Sequence, residues 1–426
     1  MKYYSHLNTA IQLIQQYRGK EPLHHFLKFF FSQHKKYGSR DRKRISHLCY
    51  LFYRVGRLFF PGSSHQVLDS TGIEKTILTA LFFCNQEPDE LLGAMKPEWD
   101  RSIVLSLPEK VKMANRENDG DSILQIENIF PWMELLSEGI DKNLFAISHL
   151  QQPDLFIRIR PGHQKTVLIK LQQQTVLYEY FPPASVQLPN GYKVDIFFEV
   201  DREVVIQDLS SQRIGEFLRR STLQLLLSDT LKNSHISTNA LYEPVGEGSL
   251  LSVWDCCAAS GGKSIMVKDI LGDIDLTVSD IRESILTNLE RRFALAGLTN
   301  YRLLKADLST ANSRLPTTNY DLIIADLPCT GSGTWGRTPE QLYFFDPATI
   351  EKYSALQMKI LANVIPQLKG TGKLLYTTCS VFKNENEDIV QYMQEQFQLK
   401  VEMMEVIKGY DQKADTMFSA LLSRSE

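Results

Sequence analysis

The chain runs to 426 residues, long for a single hydrophobic core, so two or three domains are expected. Its 43% hydrophobic and 23% charged residues describe an ordinary globular protein, and no run of about 18 uninterrupted apolar residues offers a membrane span. The net charge of −3 gives no global sign of a nucleic-acid partner, and the first residues lack the layout of a secretory signal.

The six cysteines (Cys49, Cys84, Cys256, Cys257, Cys329, Cys379) show no zinc-type spacing, and beyond residue 149 the only histidines are His163 and His235. Neither a disulfide framework nor a metal site is expected, and a monomer in a reducing cytoplasm is.

Residues 1–150 read as helical. Leu7, Ala10, Ile11 and Ile14 fall at helical spacing, as do Leu23, Phe26, Leu27 and Phe30. Ser39 is the expected cap of a helix that has Asp41 in its first turn and carries Ile45, Leu48, Cys49, Phe52 and Val55. Between Arg18 and Arg57, eleven Lys or Arg stand against two acids, Glu21 and Asp41. Such a block is either a phosphate-binding face or a solvated helical surface, and Arg40, Arg42, Lys43 and Arg44 are its densest part. Pro61 to Ser64 reads as a break, Asn115 to Asp121 as a polar loop, and Phe130-Pro131-Trp132 as the start of a helix reaching about Leu150.

Residues 151–245 read as a small α+β module. Leu155 to Arg160 alternates apolar with basic, as an edge or half-exposed strand presenting Arg158 and Arg160 on one face would. Val176 to Tyr180, Val194 to Phe198 and Val204 to Ile206 read as further strands, and Lys232 to Gly248 as a loop.

Residues 246–426 alternate regularly. Apolar runs Leu251–Asp255, Leu276–Asp280, Tyr301–Lys305, Asp321–Ala325 and Lys373–Thr377 are separated by helical patterns at Lys263–Leu271, Glu283–Ala296 and Pro347–Leu368. Glu385–Phe397 is also helical, and Val401–Val406 and Met417–Leu422 supply two last strands. The fold class is α/β, a doubly wound Rossmann-like parallel sheet with room for an antiparallel edge. In such sheets ligands bind beyond the carboxyl ends of the strands.

The first strand-to-helix turn is Asp255-Cys256-Cys257-Ala258-Ala259-Ser260-Gly261-Gly262-Lys263, which matches neither the phosphate loop nor GxGxxG. Gly261 and Gly262 allow a ligand close to the backbone, and a helix amino terminus follows. Asp280 closes the second strand, where an acid accepts both ribose hydroxyls. Asp307 follows the third, where a short polar side chain receives an adenine amine. One strand-end Asp is usually a helix cap; a series of them ending in Asp326 asks for an adenosine ligand without phosphates. S-adenosylmethionine fits that description better than NAD or ATP.

Two thiols end strands of the same sheet, in Asp326-Leu327-Pro328-Cys329 and Thr378-Cys379-Ser380. Cytosine carbon 5 is too weak a nucleophile to take a methyl group unaided, and attack of a thiolate on carbon 6 activates it. A carboxyl group at the base edge recognises the amine and assists protonation of ring nitrogen 3. Each cysteine alone reads as a small buried hydrophobe; two at strand ends beside an acid do not.

Taken together, Asp255–Lys263, Asp326 to Gly333, and Thr378-Cys379-Ser380 with Asn384-Glu385-Asn386-Glu387 resemble the signature set of RNA (cytosine-5) methyltransferases of the Sun/RsmB family. Ile206 to Gln212 resembles the segment entering that family's catalytic domain, and residues 1–150 resemble its NusB-like RNA-binding domain. The resemblance implies methylation of cytosine in RNA, in rRNA ahead of tRNA. It implies Cys379 as nucleophile, Cys329 as the thiol that assists release, Asp326 at the cytosine edge and Lys263 at the reactive end. It assigns S-adenosylmethionine to Cys257, Ala258, Ala259, Ser260, Gly261, Gly262 and Lys263 with Asp280, Asp307 and Asp326, and Arg282 stands next to that set. Arg40, Arg42, Lys43, Arg44, Arg158 and Arg160 are the expected phosphate contacts.

The family usually carries Pro where Ser260 stands and His where Thr338 stands, and the insert between Arg220 and Leu251 is longer than usual. Two other readings remain open at this point. A DNA-type enzyme would use Cys329 as the attacker, and a ribosome-assembly factor would bind RNA without catalysis.

Overall fold

A computed structural model describes residues 2–60, 69–117, 123–232, 250–310 and 319–424. The expected break at 61–64, most of the loop 232–248, the greater part of the insert before Leu251 and part of the polar loop 115–121 lie outside the described residues. The chain divides into two compact units. One comprises Met1–Leu136, Ile140–Pro153 and Thr334–Pro347; the other comprises Ser137–Gly139, Asp154–Gly333 and Ala348–Glu426.

The first unit is helical. Its main helices are Lys2–Gln16, Leu23–Gln33, Ser39–Phe59 and Ser70–Cys84, and Ile45, Phe52, Ile73, Ile77 and Leu81 are sealed from solvent between them. The cap of the third helix is Gly38 rather than Ser39, because the Asp41 carboxylate reaches back to accept the Gly38 N–H at 3.1 Å. The single helix expected from Phe130 is instead two 3-10 turns, Ile126–Ile129 and Met133–Leu135, and a short helix Lys142–Ser148. Asp141 starts that helix by accepting the Leu144 N–H at 3.0 Å, so the turn chemistry just ahead of it outweighs the apolar spacing. A late piece of chain belongs here too. Helix Pro339–Phe344 places the Tyr343 ring 5.4 Å from Tyr53, and Glu340 accepts the Leu23 N–H at 3.2 Å.

The second unit holds both sheets, so the module expected at 151–245 shares a compact unit with the domain that follows it. The small sheet contains β1 (Leu155–Ile159), β2 (Glu179–Phe181), β3 (Ser185–Leu188) and β4 (Val204–Ile206), all antiparallel in the order β2-β3-β1-β4. β1 is therefore internal, not an edge. Val194–Phe197 is a short helix rather than a strand, and Leu209–Lys232 is a long helix.

The large sheet contains β5 (Leu251–Asp255), β6 (Ile274–Asp280), β7 (Tyr301–Lys305), β8 (Tyr320–Asp326), β9 (Leu368–Thr378), β10 (Leu399–Ile407) and β11 (Met417–Arg424). Their order is β10-β11-β9-β8-β5-β6-β7, with β5 to β9 parallel and β11 inserted antiparallel beside β9. Both faces are covered: Val253, Val278, Ile324 and Leu375 pack on one side, Trp254, Ile323, Leu374 and Tyr376 on the other. That explains why these strands read as continuous apolar runs. The strand order reverses between β5 and β8, which opens a crevice at their carboxyl ends.

Candidate active site

The turn after β5 is built by backbone constraints. Ala259 and Gly261 take left-handed conformations, φ 46° and 81°, and the Ala258 N–H donates to Ser279 O at 2.9 Å. A Cβ at Gly261 would stand 2.5 Å from Phe293 Cε1, so glycine is required both by φ and by the helix Glu283–Ala296 packed against the turn. Gly261→Ala is expected to lower stability by about 1–3 kcal/mol, the usual scale of such backbone strain, and thermal denaturation measures it. Where the family usually carries Pro, Ser260 is gripped from outside. Arg292 donates to Ser260 O at 2.9 Å and to its Oγ at 3.0 Å, while pairing with buried Asp201 at 2.6 Å.

The acids line the strand ends as expected. Asp255 is fully buried; Ser264 donates to its Oδ2 at 2.6 Å, and Oδ1 has no partner among the described residues. Burial pushes this carboxyl up to about 7. Asp280 accepts the Ala259 N–H at 3.1 Å and the Arg282 N–H at 2.9 Å, and Arg282 folds over it with Nε 3.0 Å from Oδ1. Burial opposes the charge of Asp280, but these donors outweigh it and hold the carboxyl below its usual range. Asp307 uses Oδ1 to accept from the N–H and hydroxyl of Ser309, at 3.0 and 2.6 Å.

Asp326 and Lys263 form an ion pair at 2.5 Å across the switch point between β5 and β8. Burial works against the Lys263 ammonium, yet Asp326 more than offsets it and raises its pKa. The two thiols meet beside them, with Cys329 Sγ 3.3 Å from Cys379 Sγ. Register explains this: Asp326 pairs with Thr377, so the residues following β8 and β9 leave the sheet side by side. Gly333 completes the turn. Its N–H donates to Cys379 O at 2.9 Å, and a Cβ there would fall 1.9 Å from Thr416 O. Contact with Cys379 first, then burial, then the charges of Cys379 and Glu385 drive the Cys329 thiol well above its usual range.

Glu385 is the group that the sequence reading named only as part of a motif. It is fully buried and accepts the Thr330 N–H at 2.8 Å, the Thr330 hydroxyl at 2.6 Å and the Ser380 hydroxyl at 2.5 Å. Asn386, equally buried, accepts from Thr378 Oγ1 at 2.6 Å and donates to Ser380 O at 3.0 Å. Their nearness to Cys379 in sequence is the available signal; the link from Glu385 to Thr330, beside Cys329, has none.

The expected phosphate contacts fare differently. Arg158 and Arg160 are directed inward: Asp269 lies 2.7 Å from each, Arg158 Nε donates to Gln207 at 2.9 Å, and Arg160 Nη1 donates to Asp201 O and Ala296 O. In place of holding an external anion, they join β1 to helix Gly262–Leu271. In the helical unit Arg40 and Lys43 are exposed, whereas Arg44 pairs with Asp89 at 2.6 Å and Arg42 donates to Tyr37 O at 2.8 Å. Arg54 and Arg57, counted in the basic block, are buried. Thr338, the other departure, starts helix Pro339–Phe344 with its Oγ1 buried and without a hydrogen bond among the described residues. Among the described residues no cluster of side chains suits a metal ion, and no helix is long and apolar enough to cross a membrane.

A mixed seven-stranded sheet with its crevice at the β5/β8 reversal defines a Rossmann-like methyltransferase fold. A methyltransferase homologue from Pyrococcus horikoshii superposes with a TM-score of 0.53 at 19% identity, covering 72% of this chain and 96% of its own. Residues 242–421 match the family model described as 16S rRNA methyltransferase RsmB/F. Similar curated proteins include a probable ribosomal RNA small subunit methyltransferase B of Synechocystis sp., 32% identical over 34% of this chain and 33% of that protein. Another of the same name from Bacillus subtilis is 27% identical, over 39% of this chain and 40% of that protein. The alignments thus span well under half the length of these relatives.

Proposed function

We propose that the protein transfers a methyl group from S-adenosylmethionine to carbon 5 of a cytosine in RNA, with small-subunit rRNA as the substrate. The observation that carries this reading is the meeting of two thiols, 3.3 Å apart, beside the Asp326–Lys263 pair at the carboxyl ends of β8 and β9. The names of the similar ribosomal RNA methyltransferases support the choice of substrate.

The donor set suits the cofactor. Carboxylates Asp280, Asp307 and Asp326 at successive strand ends complement the hydroxyl and amine donors of a nucleoside and would repel phosphates. Residues 257–263 with Asp280 and Asp307 would hold it. S-adenosylmethionine supplies an electrophilic methyl group on a sulfonium. The chain supplies the rest. Cys379 as thiolate adds to carbon 6 of the ring, Asp326 receives the exocyclic amine, and Lys263 holds Asp326 in place. Once carbon 5 has been methylated, a base takes its proton, the freed electron pair restores the carbon 5–carbon 6 double bond, and Cys379 departs with the electron pair of its bond to carbon 6; Cys329 assists that release.

A base in an RNA helix is out of reach, so the target lies in a loop or an opened segment. Arg40 and Lys43 are the exposed cations of the original set. RNA affinity is expected to fall steeply with salt, and replacing each of them with alanine should reduce the log–log slope by roughly 0.7. A filter-binding salt series measures this, and an unchanged slope would remove that surface from the reading. The activity itself is tested with unmodified small-subunit rRNA, labelled donor and bisulfite mapping. One 5-methylcytosine is expected; label on tRNA alone would redirect the substrate, and no label on any RNA would sink the reading.

A further inference from the structure

Two chemically identical thiols in contact present a problem of choice: one must ionise and attack while the other does not. Among the described residues, no cation is paired with Glu385, whose carboxyl group lies between the two cysteine loops. It binds Thr330, the residue after Cys329, through both N–H and hydroxyl, and Ser380, the residue after Cys379, through its hydroxyl. The hydroxyls of Thr330, Ser332 and Ser380 interlock at 3.2–3.3 Å around it. Tyr376, at the end of β9, donates to the Glu385 carbonyl at 2.5 Å and fixes its backbone.

We propose that the buried carboxylate of Glu385 is a positioning group that divides the labour of the two thiols, keeping Cys329 protonated while Cys379 attacks. This rests on the reading of Cys379 as nucleophile. The other titratable groups around the pair are Tyr353 on helix Ala348–Val364, Tyr376 on β9, and the Asp326–Lys263 pair. Both tyrosines are pushed up, by burial first and then by these same neighbours, and so stay neutral. Thr330, next to Cys329, gives Glu385 both its N–H and its hydroxyl, whereas Ser380, next to Cys379, gives only its hydroxyl; burial pushes the Glu385 carboxyl above its usual range while these three donors favour its charge. A protonated Cys329 can donate its S–H to a Cys379 thiolate across the 3.3 Å contact. When Cys379 bonds to carbon 6 its charge disappears, and Cys329 is relieved of its nearest repulsion before the release step.

The test is iodoacetamide labelling of the full chain across a pH series, read cysteine by cysteine by mass spectrometry. In the parent, Cys379 is expected to label first. In Glu385→Gln, which keeps the shape and removes the charge, the Cys329:Cys379 ratio at neutral pH should rise about tenfold, the effect of one unit in thiol ionisation. Glu385→Asp keeps the charge and should stay within about threefold of the parent. An unmoved ratio in Glu385→Gln, a tenfold rise in Glu385→Asp, or faster labelling of Cys329 in the parent would each overturn the proposal. A merely structural glutamate would lower the melting temperature or change both rates together without moving the ratio. The labelling needs neither RNA nor donor. A parent chain that labels as expected but never forms an RNA adduct would therefore refute the methyltransferase reading and leave the role of Glu385 standing.

Discussion

Cys379→Ala is expected to abolish both methylation and the denaturation-resistant protein–RNA adduct, while Cys329→Ala is expected to accumulate that adduct. The loss in Cys379→Ala should reach about four orders of magnitude or more, the scale on which enzymes lose rate when their nucleophile is removed. The geometry makes the pair of outcomes asymmetric. The two sulfurs are in contact, and buried Glu385 is tied to the Cys329 loop through both the N–H and the hydroxyl of Thr330, but to the Cys379 loop only through the hydroxyl of Ser380. Removing the first leaves an intact attacker with no partner for release. Removing the second leaves a thiol that resists ionisation. Gel electrophoresis under denaturing conditions, with RNA and S-adenosylmethionine present, reads both variants at once. Adduct in Cys379→Ala, and none in Cys329→Ala, would move the attack to Cys329 as in the DNA-type arrangement.

The second large effect is on stability. Among the described residues, Asp269 is the one acid paired with the guanidinium groups of both Arg158 and Arg160; the side chains of Arg158, Arg160 and Asp269 are 9%, 12% and 5% exposed. Asp269→Asn leaves two charges with hydrogen bonds but no counter-ion, in a place that water cannot screen. Breaking a buried pair from one side typically costs about 3–5 kcal/mol. For a unit of this size that corresponds to a fall in melting temperature of roughly 6–20 °C. Lys268→Ala, one position away, removes only the more open pair with Asp273 and should shift melting by roughly 2 °C at most. Calorimetry of the three proteins decides it. Equal melting of Asp269→Asn and the parent would mean that the small sheet is held to helix Gly262–Leu271 by packing alone.

Much of the large sheet could be read in advance because its signals are local. Asp255, Asp280 and Asp326 end apolar runs, and strand ends are where an α/β sheet presents its chemistry; Glu283–Ala296 and Tyr301–Lys305 match the expected bounds residue for residue. Arg158 and Arg160 show the opposite case. Their alternation with apolar neighbours placed them on one face of a strand; Arg158 lies in β1 and Arg160 just past its end, and whether they meet water or Asp269 depends on a helix more than a hundred residues away. Helix Pro339–Phe344 is similar: it lies between cysteine motifs in sequence and packs in the helical unit, through Glu340 and Leu23, 317 residues apart.

The amino-acid order by itself determined the strand and helix alternation of residues 251–424 and the chemical kinds of group at each strand end. Those follow from side-chain periodicity and turn chemistry, which act over a few residues. Only the tertiary structure decided which charges face solvent, how near the two sulfurs come, and that one buried carboxylate braces both of their loops. Distance and burial arise from segments brought together across the chain, and no local pattern encodes them.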